Sequence, residues 1–176
     1  LRHVGFDPAG HIALDVGQST GGFTDCLLAH GARHVVGVDV GHGQLHARLR
    51  ADARVTALEG VHVRELDLLR PHAPTGGFTL IVGDLSFISM VGSLPELLPW
   101  LEVHGHLLVL IKPQFEAGRD AIGKGGIVSD PVEHERVCRE ITEFLREQGW
   151  RVLGLAASPV EGGDGNREFL VAAGKG

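Results

Sequence analysis

The sequence predicts an α/β domain: one mostly parallel sheet whose last strand runs antiparallel, with helices between the strands. Three observations carry this. Short apolar runs alternate with helical patterns from residue 12 onward. Two of these runs, 78–82 and 107–111, are continuously apolar, as in strands covered on both faces. The polar, glycine-bearing link between the last two runs, 151–157 and 169–173, is too short for a crossover helix, so those two strands pair antiparallel.

The elements follow in order. Residues 12–16 read as the first strand and 23–30 as the helix after it. Residues 35–38 form the second strand and 42–50 the second helix. A weaker third strand covers 55–58, with Val61 and Val63 nearby. The strands at 78–82 and 107–111 are separated by a short helix over 93–101. Residues 114–129 form a long polar, glycine-rich loop of a length usual for lids or mobile segments. Asp130 then caps a helix, with Pro131 in its first turn and Glu133 completing a capping-box-like pattern. That helix runs to about Gln148 and stops at Gly149.

The chain's 176 residues suffice for one domain with a full core. No apolar run approaches a bilayer span, and no amphipathic segment stands out. Leu1 is not a start methionine, and no basic segment followed by an apolar stretch opens the chain. The sequence therefore reads as a fragment of a longer cytoplasmic protein. Cys26 and Cys138 are far apart and fall in helical patterns, as expected for buried, reduced thiols. A net charge of −6 excludes bulk attraction to nucleic acid, so any grip on RNA is a local patch or another domain.

Asp84, Lys112 and Glu168 sit at the ends of three apolar runs. In parallel strands the residue just past the run lies at the carboxyl edge, where open α/β sheets bind ligands. The start of a final antiparallel strand reaches that same edge. One cleft thus receives an Asp, a Lys and a Glu. A glycine turn follows the first strand, with Gly17, Gly21 and Gly22 after Asp15. Small residues there let a ligand approach the backbone, and the helix start offers unpaired N–H groups. The spacing is not that of the dinucleotide fingerprint, which disfavours a nicotinamide dehydrogenase and suits S-adenosylmethionine better. Asp39, at the end of the second strand, is placed to accept hydrogen bonds from both ribose hydroxyls of an adenosine.

Other signals are weaker. Residues 118–124 nearly spell a phosphate-binding loop, but Gly125 stands where its Ser or Thr belongs. Arg119 and Lys124 in that loop are candidates to touch RNA phosphates. His42 with His46, and His104 with His106, lack the further ligands of a metal site, so no metal is expected. Phe87 and Phe115 flank the cleft residues, where they either stack on a nucleobase or pack in the core.

Taken together, these stretches resemble the TlyA family within the FtsJ-like ribose 2′-O-methyltransferases. The resemblance rests on residues 14–24 (Leu-Asp-Val-Gly-Gln-Ser-Thr-Gly-Gly-Phe-Thr), 38–41 with 43–45, 83–89 (Gly-Asp-Leu-Ser-Phe-Ile-Ser) and 111–116 (Ile-Lys-Pro-Gln-Phe-Glu). Residues 123–126, Asp130 with Pro131, and 165–166 with 168–169 complete it. It implies a Rossmann-like S-adenosylmethionine-dependent methyltransferase fold over residues 1–176, with seven strands, truncated at its N-terminus and lacking an RNA-binding module. It implies a donor site made of Asp15, Gly17, Ser19, Thr20, Gly21, Gly22 and Phe23, with Asp39, His62 and Asp84. His62 stands where the family commonly has an Asn facing the adenine. Asp84, Lys112 and Glu168 look like three members of a Lys-Asp-Lys-Glu tetrad whose first lysine is absent. The implied substrate is ribosomal RNA in ribosomal subunits, at cytidine.

The chemistry agrees with that resemblance. Moving a methyl group from a sulfonium to a ribose hydroxyl needs the hydroxyl placed in line and activated. Lys112 is the candidate activator: neutral it takes the proton, charged it stabilises the oxyanion. Asp84 would orient Lys112 and the nucleophile, and Glu168 would hold the network. No Pro-Pro-aromatic turn of amino-methylating enzymes follows Asp84, and neither cysteine lies at the cleft for base C5 methylation. The alternatives left open are a structural ion-pair network and a donor-binding or RNA-docking domain without turnover.

Overall fold

The seven apolar runs become seven strands of one sheet in the computed structural model, which describes residues 5–176. Positions 1–4 of the expected domain lie outside the described residues. The strands are β1 (Ile12–Val16), β2 (His34–Asp39), β3 (Val55–Glu59), β4 (Phe78–Gly83), β5 (Leu101–Ile111), β6 (Trp150–Ala157) and β7 (Phe169–Lys175). Their order is β3-β2-β1-β4-β5-β7-β6. β1 to β5 are parallel to one another, and β7 is antiparallel to both β5 and β6. The ends of β1, β4 and β5 and the start of β7 therefore share one edge.

The continuous apolar runs reflect two cores, one on each face. Leu14, Ile81, Val109 and Val171 point to one face, where α3 (Met90–Leu97) and α5 (Pro131–Glu147) cover them with Leu94, Leu97, Ile141 and Leu145. Ala13, Val35, Leu80 and Leu108 point to the other. There α1 (Gly22–Ala29) supplies Leu27 and Leu28, and the short α2 (Ala47–Arg50) supplies Leu49.

Several local expectations change. The helix expected over 42–50 shrinks to α2, because Gly43 turns at φ +68° and His46 caps the helix, its Nδ1 accepting from the Arg48 N–H. The helix expected over 93–101 starts earlier, at Met90, because Ser89 Oγ accepts from the Gly92 N–H. It passes through a 3₁₀ turn at Leu98–Trp100, and Leu101 already opens β5. Asp130 caps α5 as expected, its Oδ1 2.9 Å from the Val132 nitrogen. Glu133 does not complete a capping box; it pairs with Arg136. The 114–129 stretch holds the one-turn helix α4 (Pro113–Glu116) and two 3₁₀ turns, Arg119–Ala121 and Lys124–Gly126. Both cysteines are free thiols, Cys138 buried and Cys26 half-buried. Among the described residues no helix is long and apolar enough to cross a membrane.

Candidate active site

The turn after β1 is stitched to both neighbouring strands. The Gly17 and Gln18 amides donate to the Val38 carbonyl, and the Asp84 amide donates to Val16. Gly17 sits at φ +79°, and a Cβ there would lie 2.2 Å from the Asp84 carbonyl oxygen. The crossing of the Asp84 backbone by itself requires a glycine here, a reason the sequence does not show. Beyond the turn, Asp39 is held as an open clamp. Its Oδ2 accepts from the Ser19 N–H and its Oδ1 from the Gly41 N–H, both at 2.7 Å.

Between these loops lies a cavity of about 450 Å³, within the usual range for small-molecule sites (about 300–1,000 Å³). Of the expected donor-binding residues, Gly17, Ser19, Asp39, His62 and Asp84 line it. Asp15, Thr20, Gly21, Gly22 and Phe23 do not line it. Gly21 caps α1 at φ +100°, where a Cβ would strike Leu49. Gly22 opens α1, and Phe23 packs into the core beneath that helix. Thr20 is exposed and gives its carbonyl to the His46 amide. His62 Nδ1 accepts from the Arg64 N–H, which leaves Nε2 as the ring's other hydrogen-bonding atom.

Asp15 is fully buried below the turn. Its Oδ2 accepts from Thr24 Oγ1 at 2.7 Å, Thr24 Oγ1 accepts from Gln18 Nε2 at 2.9 Å, and Asp15 Oδ1 has no partner among the described residues. Burial, opposed by the Thr24 hydrogen bond and reinforced by the negative charge of Asp84, pushes its carboxyl up to about 7. Gln18 is a residue the sequence reading missed. Its signal is Gly37, a glycine inside an apolar strand, where a Cβ would lie 2.0 Å from the Gln18 side chain.

Lys112 and Asp84 do meet. Lys112, only 9% exposed, places Nζ 2.5 Å from Asp84 Oδ1 and donates to Ser86 Oγ at 2.9 Å. Ser86 is a second residue that sequence reasoning missed. Glu168 is buried at the same edge, one position beyond the Ile111–Phe169 pair of β5 and β7. It does not hold Lys112, as had been expected. Among the described residues no ion pair joins the two, and Glu168 Oε1 accepts instead from Gln114 Nε2 at 3.2 Å. Phe87 is 87% exposed at the mouth of the cavity, with its ring centroid 5.2 Å from that of Phe115.

The 114–129 loop is pinned at one end. Buried Asn166 accepts from the Val128 N–H and donates to the Gly126 carbonyl, and His134 Nε2 donates to the Val128 carbonyl. Only a single 3₁₀ turn, and no α-helix, opens at Lys124, so the near-match to a phosphate-binding loop is not one. Among the described residues no cluster of three or more His, Cys, Asp or Glu is arranged to hold a metal.

The FtsJ-like methyltransferase family model matches residues 1–175. The chain belongs to the FtsJ-like methyltransferase family. It is 44% identical over 163 residues to the 16S/23S rRNA (cytidine-2′-O)-methyltransferase TlyA of Mycobacterium tuberculosis, covering 93% of this chain and 60% of that protein. A hemolysin-labelled structure from Lactococcus lactis superposes with a TM-score of 0.92 at 40% identity, covering 100% of this chain and 83% of that one. An S-adenosylmethionine-dependent methyltransferase from Mesorhizobium loti shares the fold alone, at a TM-score of 0.67 and 18% identity, covering 99% of this chain and 95% of that one. The FtsJ-like domain thus has the seven-stranded architecture of S-adenosylmethionine-dependent methyltransferases. It spans between 56% and 65% of the length of the curated relatives it matches.

Proposed function

We propose that this domain carries out S-adenosylmethionine-dependent 2′-O-methylation of ribose in ribosomal RNA, at cytidine, within ribosomal subunits in the cytoplasm. The observation that carries the reading is the Asp84–Lys112–Ser86 contact beside a cavity edged by Asp39. The residues present fit the donor. Asp39 and Asp84 line the cavity, and Asp39 is in no ion pair among the described residues, so the site favours a cation. Asp39 keeps lone pairs free beyond its two backbone bonds, enough to accept from a ribose diol. His62 lines the same cavity, where the base of an adenosine would lie.

When bound, S-adenosylmethionine supplies an electrophilic methyl group on a sulfonium. The chain supplies placement and charge. Lys112 donates to Ser86 and is ion-paired with Asp84, and the three N–H groups of an ammonium leave one for the acceptor oxygen. Lys112 thereby stabilises the charge that develops on the attacking hydroxyl, and Asp84 holds the ammonium in place. Exposed Phe87, backed by Phe115, offers a stacking face for the nucleobase of the acceptor. Arg119 and Lys124 on the 114–129 loop stand outside every ion pair found among the described residues and suit phosphate contacts.

One observation favours a second reading, a domain that holds the donor without turnover by itself: Glu168 is bonded to Gln114 rather than to Lys112. Nucleoside mass spectrometry of ribosomal subunits, treated with the donor and the intact protein carrying this domain, separates the two. New 2′-O-methylcytidine supports catalysis. Tight donor binding by calorimetry with no methylated nucleoside supports the second reading, and absence of donor binding defeats both.

A further inference from the structure

The segments 84–90 and 112–116 leave the carboxyl ends of adjacent parallel strands, β4 and β5, and they are cross-linked in three successive steps. Lys112 meets Asp84 and Ser86. The ring of Phe115 lies against that of Phe87, at an interplanar angle of 51°. Glu116 closes the series: its Oε2 accepts from Ser89 Oγ at 2.7 Å and its Oε1 from the Met90 N–H at 2.5 Å. A carboxylate at this point also faces the N-terminal end of α3, where amides lack partners within the helix.

The connection from Glu116 back to Lys112 is short and stiff. The Phe115 and Glu116 amides both donate to the Lys112 carbonyl, and Pro113 fixes the first position of the turn. On the opposite segment, Phe87 has φ +67°, a left-handed backbone that an aromatic residue adopts only when its surroundings hold it there. Anchored serines bracket it: Ser86, just before it, to Lys112, and Ser89, two residues after it, to Glu116. Burial of the Glu116 carboxyl raises its proton affinity against the opposing hydrogen bonds of Ser89 and Met90, so the anchor is set in the protein rather than in solvent.

We propose that Glu116 is a positioning residue: it clamps the 84–90 segment onto the 112–116 turn and thereby fixes Asp84, Ser86 and Phe87 relative to Lys112. The effect on activity rests on the methyltransferase reading above; the clamp itself does not. Removing the carboxylate frees Ser89 and the α3 amides, lets Phe87 leave its left-handed backbone, and loosens the Asp84–Lys112 alignment. Asp39 and His62, which line the cavity from other loops, keep their own backbone contacts, so donor binding changes little.

The test uses the intact protein carrying this domain, with Glu116→Ala, Glu116→Gln and Ser89→Ala. A glutamine amide can still accept from the Met90 N–H with its oxygen and donate to Ser89 Oγ with its nitrogen. For Glu116→Ala the expected result is a fall in kcat of at least about tenfold, with donor Kd changed less than about threefold. Glu116→Gln should recover most of that loss, and Ser89→Ala should fall between. 4-Fluorophenylalanine at position 87 gives a readout free of catalysis: its ¹⁹F resonance should shift or broaden in Glu116→Ala and return toward the parent position in Glu116→Gln. Unchanged kcat and an unchanged ¹⁹F signal in a folded Glu116→Ala protein would overturn the proposal. So would equal losses in the alanine and glutamine variants. A parent protein that transfers no methyl group removes the methyltransferase reading, and the ¹⁹F comparison alone then decides the clamp.

Discussion

Replacing Asp15 with Asn should change how stability depends on pH, and the structure sets the size of the change. Asp15 is completely buried, its Oδ1 has no partner among the described residues, and the charges of Asp84 and Asp39 face it. Its carboxyl is held protonated up to about pH 7, against 3.8 for an ordinary aspartate. With a native pKa above the unfolded one, the folded protein binds the extra proton between those two values. The stabilisation is therefore complete below about pH 4 and is lost as pH rises toward 7, after which it stays flat. At 1.36 kcal/mol per pH unit the whole loss is ~4 kcal/mol, of which ~2 kcal/mol falls between pH 5 and 7. Asn keeps the shape, and its carbonyl still accepts from the Thr24 hydroxyl, but it does not ionise. Urea unfolding of the parent and of Asp15→Asn at pH 5, 6, 7 and 8 cancels the other titrating groups. The parent should weaken relative to the variant across pH 5–7 and run parallel to it above. Parallel curves throughout would refute the argument that Asp15 is buried without a countercharge.

Other outcomes follow from the same contacts. Gly17→Ala combines a left-handed backbone with a Cβ placed against the Asp84 carbonyl, so it should destabilise the domain by ~2–5 kcal/mol in denaturant unfolding and displace Asp84. Asn166→Ala leaves the Val128 N–H and the Gly126 carbonyl without their partner; it should cost ~2 kcal/mol and raise hydrogen exchange selectively across 118–128. Lys112→Ala should lower methyl transfer by at least ~10²-fold while donor affinity by calorimetry changes little.

The sheet was legible because strands covered on both faces must be apolar at every position, as 78–82 and 107–111 are. α5 was legible from Asp130, Pro131 and Gly149, whose effects are local. The helix at 42–50 misled because Leu45 fits a helical period yet is buried beneath the Gly21 turn, a tertiary contact that periodicity does not encode. The site divides the same way. Asp84, Lys112 and Glu168 were placed by strand ends alone. Ser86, Gln114 and Glu116 were not, because each earns its role from a partner across the sheet edge. Of the residues assigned to the ligand, Gly21, Gly22 and Phe23 do not line the cavity; Leu49 and Leu45 fill the space around Gly21, and Phe23 packs against the core. A glycine in a sequence reports close approach without saying what approaches.

The most direct test of the central claim is methyl transfer from radiolabelled S-adenosylmethionine to ribosomal subunits by the intact protein, parent against Lys112→Ala, with the label located in digested RNA. The account predicts label on the ribose 2′-oxygen with the parent and almost none with Lys112→Ala, although both bind the donor. Label on a nucleobase, or equal transfer by the two proteins, would contradict it.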